Sequence, residues 1–465
     1  MVKKLLYLST IYAGLSALVK GISFIAIILI AKYFSTEQYA IFALLFSIHQ
    51  GVASFSIAGI NESVIGFLKE NKSQKSKDEL FSNVLVTTIP TTLIVFLSAM
   101  ITYYFYLKQK NPEIIFLVFL FTIISGTLLS YSIFNSKIFR LKENHFGAIM
   151  YLFFPQLLLF IVGSVSIFIS NNINYFFISS FFSILSFIVI LKIFFKELNL
   201  PLTIGRHSKK IIIKSIPYYA IAVLGWLGGY GNNFIINIFL EKYDIAAFTF
   251  IYTLSGILLL ISNSLNQVWA PRFYNSFSKK NYKSLEQKNS FFYGILNVII
   301  SITVAAIIIL YPTAIRIFGG NLDAYSNMQF ELYLLLTSFI IYTPVWHYRL
   351  HYYVRSFGNK LMKINLLSSV VGIVATIFFI KNYGSLGIYI GFMSHNIVNL
   401  LCMMFFSNRE WNIIINWSCF WLSLSIGLTA FLLNQFLNSI HAFIFLIFCI
   451  FLTIIFFNQN RYLID

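Results

Sequence analysis

Long apolar segments dominate this sequence and leave few folds open to it. Fourteen such segments occur, each of 18 residues or more. A helix of about 20 residues spans a bilayer, whereas the strands of a transmembrane barrel alternate polar and apolar residues over about 10 positions. The pattern therefore predicts an all-α polytopic membrane protein with about fourteen transmembrane helices. The predicted spans are 9–31, 39–60, 81–106, 114–135, 147–169, 174–194, 215–239, 245–268, 290–312, 330–352, 362–380, 385–406, 412–433 and 440–457.

Charge is scarce in this chain and unevenly placed. Hydrophobic residues make up 58% of the sequence and charged residues 10%, whereas a soluble protein has about 25% charged residues. With a cytoplasmic N-terminus, 26 basic residues fall in cytoplasmic segments, six fall outside, and Lys20 lies in a span. This bias follows the positive-inside rule and predicts that both termini are cytoplasmic. The net charge of +18 is then explained by topology and by anionic lipid, so no nucleic-acid partner is expected.

The connections between the spans are short, none exceeding roughly 25 residues. They leave no room for a soluble catalytic or nucleotide-binding domain, and the sequence has no GxxxxGK[ST] loop. Cys402, Cys419 and Cys449 fall in apolar segments without a CxxC or Cys/His metal spacing. We therefore expect a protein that is not an enzyme and has no cofactor and no metal site. The first apolar run is too long for a signal peptide, so we expect it to be retained.

A single charge, Lys20, lies in the middle of the first predicted span. A charge at the bilayer centre costs about 2.5–3.5 kcal/mol on insertion scales, so such a residue usually faces a polar interior. Ser16 and Ser23 share the helical face of Lys20, at spacings of four and three residues. These residues form a polar stripe with a buried cation, and we therefore expect them to face a cavity that binds an anionic cargo. The alternative is that Lys20 only pairs with a neighbouring carbonyl or carboxylate group.

The sequence contains an internal repeat. Residues 12–42 align with residues 218–248 at a constant offset of 206, with few identities but the same order of polar and apolar positions. Six spans separate the two copies, so both halves start on the same side of the membrane and form parallel repeats, with a substrate site between them. We predict two six-helix lobes, 1–200 and 201–410, followed by two extra helices in 411–465.

Polar side chains also recur at helical spacing in the second, seventh and eighth spans. They predict that these spans, together with the first, line a central substrate cavity. Gly228, Gly229 and Gly231 predict a bend or a close approach in the seventh span. The aromatic members could stack on sugar rings, and ordinary aromatic packing is the alternative for each of them. The candidate cavity residues of these spans are His49, Trp226, Tyr230, Asn233, Tyr252 and Asn266.

Three motifs in fixed order give the chain a family resemblance. They are LVKGISFIAIILIAKYFSTEQYAIFALLFSI (Leu18–Ile48), SIAGINESVIGFL (Ser56–Leu68) and NQVWAPRF (Asn266–Phe273). With the count of twelve plus two spans, they make the chain resemble the polysaccharide transporter family of the multidrug/oligosaccharidyl-lipid/polysaccharide exporter superfamily. Many family members have an arginine shortly after the glycine of the second span. This chain has Gly66 there, so no role of that cation is transferred.

The resemblance implies a specific function. It implies two lobes around a cavity that opens alternately to each side of the bacterial cytoplasmic (inner) membrane. Through this cavity a flippase moves an undecaprenyl-pyrophosphate-linked oligosaccharide outward, for O-antigen of lipopolysaccharide, capsule or exopolysaccharide. The implied partners are the polyprenyl-linked oligosaccharide and the lipid bilayer. A polysaccharide polymerase and chain-length proteins are further candidate partners.

Several titratable residues have two interpretations. Glu62, near the cytoplasmic end of the second span, and His395, in the twelfth, are candidates for coupling transport to a proton, as is His49. An interfacial or hydrogen-bonded structural role is the alternative. Arg272, at the cytoplasmic end of the eighth span, could meet the pyrophosphate or only anchor the topology. The same choice applies to a basic cluster at the inner end of the tenth span, formed by His347, Arg349, His351 and Arg355.

Two other functions compete with the flippase hypothesis. A multidrug antiporter of the same superfamily needs coupling carboxylates deep in the membrane, but only Glu62 is near such a position and the central charge, Lys20, is positive. A membrane polysaccharide polymerase or ligase typically needs a large external loop with catalytic residues. The longest external connection, about 311–329, has only Arg316 and Asp323 as charged residues. The charges therefore favour an anionic, lipid-linked cargo.

Overall fold

The computed structural model describes residues 2–57, 74–141, 144–195, 208–278, 282–355, 357–408, 413–436 and 444–449. Helices account for nearly all of these residues, and no strand occurs among them. The helices are α1 (Val2–Tyr33), α2 (Thr36–Phe55), α3 (Gln74–Thr102), α4 (Phe116–Leu141), α5 (His145–Ser170), α6 (Tyr175–Phe194), α7 (Ser208–Leu227), α8 (Asn232–Phe239), α9 (Lys242–Ser278), α10 (Tyr282–Phe318), α11 (Gln329–Val354), α12 (Gly358–Tyr383), α13 (Leu386–Asn408) and α14 (Trp417–Phe436). A π-helical turn, Tyr103–Leu107, and a last turn, Lys108–Lys110, continue α3.

These helices follow the predicted spans closely. Within the described residues, ten helices are long and apolar enough to cross a membrane, and α7 with α8 makes an eleventh if the bent pair is one span. Helices α2 and α11 occupy the predicted second and tenth spans. The fourteenth predicted span is described only over 444–449, which is helical. The predicted all-α polytopic architecture is confirmed.

The described chain divides into two compact units. The N unit comprises Gly21–Ile30 and Ser35–Ala246, and it includes α2 to α8. The C unit comprises the described residues up to Lys20, Ala31–Phe34 and the described residues from Ala247 onward, and it includes α10 to α14. The lobe boundaries predicted from the repeat remain a prediction.

Helix α2 forms the core of the N unit. It starts with a capping box, in which the Ser35 hydroxyl accepts a hydrogen bond from the Gln38 amide and the Gln38 side chain accepts one from the Ser35 amide. Its aromatic side chains, such as Phe42, pack edge-to-face on Phe176 of α6, with ring centroids 5.1 Å apart. Close packing on α4 requires Gly126, because a Cβ there would lie 2.9 Å from the His49 carbonyl oxygen.

Helices α12 and α13 form a tight antiparallel hairpin in the C unit. The turn between them uses Gly384, which has a positive φ of 59° that favours glycine. A Cβ on Gly391 would overlap the Thr376 side chain, and a Cβ on Gly372 would lie 2.7 Å from the His395 Cβ. Small residues at these positions let the two backbones approach, as in many membrane helix pairs.

Many large apolar side chains on the helix surfaces are exposed and pack only partly against other parts of the protein. On α3, for example, Leu93, Ile94, Leu97 and Ile101 are between 56% and 61% exposed. A soluble protein rarely leaves such a continuous apolar surface open to water, whereas lipid solvates it. The chain is therefore a multi-pass membrane protein.

Candidate functional site

The seventh predicted span is broken in the middle. Helix α7 ends at Leu227, α8 begins at Asn232, and the two axes differ by 45°. The amides of Gly229 and Gly231 both donate to the Trp226 carbonyl, which closes the turn. A Cβ on Gly231 would lie 2.7 Å from the Leu227 Cα, so a larger residue does not fit there. The bend predicted from the glycines is confirmed, and broken spans of this kind often form binding sites in transporters.

Two predicted cavity residues form hydrogen bonds with α2 on either side of this break. The Trp226 indole donates to the Ser47 carbonyl oxygen over 2.9 Å, and the Asn233 amide group donates to the Ser47 hydroxyl over 2.8 Å. Asn233 and Ser47 are fully buried. We name Ser47, Trp226 and Asn233 the hinge cluster, because together they hold both halves of the broken span to one turn of α2.

Aromatic packing surrounds the hinge cluster. Tyr230 lies edge-to-face on Phe46, with ring centroids 5.5 Å apart, and Trp226 does the same on Phe55 at 5.3 Å. A Cβ on Gly51 would lie 3.0 Å from the Trp226 ring, so the missing side chain lets the indole lie on α2. The structure thus brings Trp226, Tyr230 and Asn233 together with α2, as parts of a packed contact.

Helix α8 is held by a second polar contact near its end. The Asn237 amide donates to the Tyr106 hydroxyl over 2.8 Å, which joins α8 to the π-helical turn after α3. Beyond the spans, Lys242 forms an ion pair with Glu113. This hydrogen-bonded ammonium group lowers the pKa of the Glu113 carboxyl below its ordinary value.

His49 lies two residues after Ser47 on α2 and is fully buried. Within the described part of the chain, neither of its ring nitrogens has a hydrogen-bond partner. Its ring stacks on Phe46 and tilts against Phe177, with both centroid distances 6.3 Å. The proposed coupling role of His49 remains a prediction.

The predicted anion site lies on α1. The Lys20 side chain is exposed, and Ser16 and Ser23 are half-buried. A Cβ on Gly21, next to Lys20, would meet no atom within 4 Å, and the same holds for Gly14.

The remaining predicted site residues lie elsewhere in the chain. In the C unit, Tyr252 stacks on Phe248, and Asn266 accepts a hydrogen bond of 2.9 Å from the Tyr293 hydroxyl of α10. His395 packs against α12 at Gly372. Glu62 and the second quoted motif beyond 57 lie outside the described residues, as does the side chain of Arg272.

A polar network in the C unit was not predicted from the sequence. The Arg349 guanidinium donates to the Asn365 side-chain oxygen over 2.8 Å and lies 5.2 Å from the centre of the Tyr342 ring. Asn399 of α13 donates to the Ser368 hydroxyl over 3.1 Å and approaches the same Asn365 oxygen. We name Arg349, Asn365, Ser368 and Asn399 the arginine network. Its sequence signal was a set of Asn and Ser residues at helical spacing in two apolar spans.

One group of side chains in the described residues has the composition of a metal site. Glu286, His347 and His351 are all buried in the C unit and bring their ligand atoms within 4.8 Å of one another. No motif predicts this group, because Glu286 is distant along the chain from the two histidines.

Comparisons with known proteins place the chain in a family. The family model described as "Polysaccharide biosynthesis protein" matches residues 6–277. No curated protein sequence matches the chain. The structure resembles that of lipid II flippase MurJ in an inward closed conformation, with a TM-score of 0.72 and 18% identity over 98% of this chain and 100% of the MurJ chain.

Multidrug transporters of known structure share the fold as well. The MATE multidrug transporter DinF-BH, solved in complex with a ligand, has a TM-score of 0.64 and 16% identity, covering 88% of this chain and 96% of its own. An inward-facing MATE family transporter of the MOP superfamily has a TM-score of 0.60 and 14% identity, covering 86% and 94%. These identities show the fold alone, whereas the family model matches more than half of the sequence. The chain belongs to the polysaccharide biosynthesis protein family.

Proposed function

We propose that this chain is a flippase that moves a polyprenyl-pyrophosphate-linked oligosaccharide outward across the bacterial cytoplasmic membrane by alternating access. One observation carries the proposal: a member of a polysaccharide biosynthesis family has, over 98% of its length, the fold of a lipid II flippase. A polysaccharide unit made on a lipid inside the cell must cross the membrane before it reaches the surface. A membrane-embedded transporter fold suits that step.

In this proposal Lys20 recognises the pyrophosphate. Its ammonium group lies on an apolar helix, its side chain is exposed, and open space surrounds the neighbouring Gly21. An ammonium group in a low-dielectric setting attracts a phosphate strongly. Ser16 and Ser23 add hydroxyl groups on the same face. Arg272 is a candidate for the first contact with the pyrophosphate at the cytoplasmic side.

The hinge cluster supplies the conformational change. The break between α7 and α8 is held to α2 by hydrogen bonds from Trp226 and Asn233 to Ser47. Neutral hydrogen bonds between membrane helices contribute only about 0.6 kcal/mol each on average. Such contacts can form in one state of the transport cycle and break in another. His49 and Tyr230 flank the cluster, and Tyr252, Asn266, Glu62 and His395 are the further candidates for sugar contacts and coupling.

A multidrug antiporter is the second candidate function. The observation that favours it is the fold shared with MATE transporters, at TM-scores of 0.64 and 0.60. The positive charge at Lys20 argues against it, because cationic drugs are repelled by an ammonium group. A polysaccharide polymerase or ligase is less well supported, since the family member has the fold of a transporter. We further propose cytoplasmic termini, with a polymerase and chain-length proteins as partners.

Surface polysaccharide display tests this function in a strain that lacks the gene. The wild-type chain should restore display, Lys20→Ala should abolish it, and Lys20→Arg should retain part of it, each normalised to membrane-inserted protein. Lys32→Ala is the matched control, because Lys32 lies on the same helix near its end. Normal display in Lys20→Ala rejects the anion site. Undiminished polysaccharide in the deletion strain rejects the flippase function.

A further inference from the structure

Two histidines and a glutamate meet where α10 packs on α11. His347 and His351 are one helical turn apart on α11, and their rings are nearly parallel, with an interplanar angle of 17°. Glu286 lies near the start of α10. The His351 Nε2 is 3.0 Å from Glu286 Oε1, and the His347 Nε2 is 3.7 Å from Glu286 Oε2. Each histidine therefore directs its Nε2 atom toward a different oxygen of one carboxylate.

This cluster is buried and incompletely satisfied by protein groups. Glu286 is 8% exposed, His347 1% and His351 2%. Within the described residues, neither the Oε2 of Glu286 nor a ring nitrogen of His347 has a hydrogen bond of normal length. Burying polar groups without hydrogen-bond partners is unfavourable in proteins. A ligand that binds the carboxylate and the imidazoles together would remove that cost.

The geometry matches the donor set of a divalent transition metal. A tetrahedral zinc ion with bonds of about 2.0–2.1 Å separates its ligand atoms by about 3.3 Å. The two nitrogen–oxygen distances of 3.0 and 3.7 Å bracket this value, and all three ligand atoms lie within 4.8 Å of one another. Two histidines at i and i+4 on one helix with a carboxylate from elsewhere form a known zinc-ligand pattern.

We propose that Glu286, His347 and His351 bind a divalent transition metal ion, with zinc as the best fit. Imidazole nitrogens favour zinc and its neighbours, whereas calcium and magnesium require mainly oxygen ligands. The ion would fasten α10 to α11. Neighbouring side chains pack around the histidines, since Phe273 of α9 lies edge-to-face on His351 and Tyr293 stacks on His347. The site is independent of the cargo and stabilises the C unit.

Zinc binding by the purified full-length chain, carrying no polyhistidine tag, tests this proposal. After treatment with a chelator and its removal, wild-type protein should take up one zinc ion per chain in a titration followed by calorimetry and elemental analysis. Glu286→Gln and His351→Ala should weaken binding by at least about tenfold, because each removes a ligand. His145→Ala, a histidine of the N unit, is the matched control and should bind zinc like the wild type.

A second measurement covers the case in which a variant does not fold. Cobalt added to the chelator-treated wild-type chain should produce the visible absorption bands of a low-symmetry nitrogen and oxygen site, and zinc should displace them. Folding of every protein is checked by size-exclusion chromatography. The proposal is overturned if folded wild-type chain takes up neither ion. It is also overturned if the folded Glu286→Gln variant binds zinc as tightly as the control. Glu286 and the two histidines would then form only ionic and hydrogen-bonded contacts with one another.

Discussion

In the N unit polar side chains meet at a break in a helix, whereas in the C unit they meet between continuous helices. The hinge cluster consists of neutral groups, with Trp226 and Asn233 both bonded to Ser47. The arginine network includes a charge, and Arg349 joins α11 to α12 through Asn365. Hydrogen bonds to charged groups contribute about 1.5–3 kcal/mol, and neutral ones about 0.5–1.5 kcal/mol. From this difference we predict a contact that can break during transport in the N unit and a lasting contact in the C unit.

The largest effect is expected from filling the turn of the broken span. Gly231→Val places a side chain against the Leu227 backbone, where a Cβ would already lie 2.7 Å from the Cα. Overpacking of this kind costs about 1–3 kcal/mol, and it also blocks motion at the break. We expect surface polysaccharide display to be lost and the yield of folded protein to fall. Gly225→Val is the matched control, because a Cβ there meets no atom within 4 Å. Equal display in both variants would show that the turn is not a hinge.

Removing the charge of the arginine network should destabilise the chain without altering the hinge. Arg349→Met deletes the hydrogen bond to Asn365 and the contact with the Tyr342 ring. We expect the free energy of unfolding to fall by about 2 kcal/mol. Unfolding of the detergent-solubilised protein measures it. The control is Arg316→Met, since Arg316 is exposed at the end of α10. A loss of stability no greater than in the control would remove the contrast between the two units.

A double-mutant cycle measures the strength of the hinge contact itself. Ser47→Ala and Asn233→Ala should show a coupling free energy of about 0.6 kcal/mol, the average for hydrogen bonds between membrane helices. Ser56 serves as the control partner, because its hydroxyl bonds the Val52 carbonyl of its own helix. The effects of Ser56→Ala and Asn233→Ala on the free energy of unfolding should therefore be additive. A coupling above about 2 kcal/mol would indicate a permanent contact in the N unit.

The smallest effect is expected outside the spans, at the ion pair of Glu113 and Lys242. The bound ammonium lowers the pKa of Glu113, so the pair stabilises the fold above the ordinary carboxyl pKa of about 4.3 and loses this contribution as the pH falls through the lowered value. Both side chains are partly exposed, at 46% and 29%. Solvent screening therefore limits the effect of Glu113→Gln to about 0.5 kcal/mol at neutral pH. Unfolding measured at pH 7 and pH 3 should show a smaller difference from wild type at pH 3 than at pH 7, and a larger difference at pH 3 would contradict this assignment.

Much of the fold could be predicted from the sequence because lipid imposes simple rules on it. Apolar segments of sufficient length predicted the helices, and the glycines from Gly228 to Gly231 predicted the break, since both signals are local. The residue of α2 that hydrogen-bonds to the broken span, Ser47, could not be predicted from the sequence. Nothing in the pattern of α2 distinguishes Ser47 from its neighbours, because its importance comes from the Trp226 and Asn233 side chains of α7 and α8, far along the chain.

The basic cluster at the end of α11 shows a second limit. From the sequence, His347, Arg349 and His351 could serve as charged anchors at the cytoplasmic interface. In the structure both histidines are buried against Glu286, and Arg349 bonds Asn365. A count of charges along the chain cannot show this, because burial depends on which helices pack together. The role predicted for Lys20 depends on a ligand and remains a prediction.

Lipid transport in reconstituted vesicles tests whether this chain is a flippase that recognises its cargo through Lys20. The purified chain is placed in liposomes with a fluorescent polyprenyl-pyrophosphate oligosaccharide, and a membrane-impermeant quencher reports how much lipid has changed leaflet. We predict that the wild-type chain moves this lipid, that Lys20→Ala slows the movement by at least about tenfold, and that Lys32→Ala does not. A parallel assay follows uptake of a cationic dye. Accumulation of the dye driven by an ion gradient, with the lipid remaining in its original leaflet, would show that the chain is a multidrug antiporter and not a flippase.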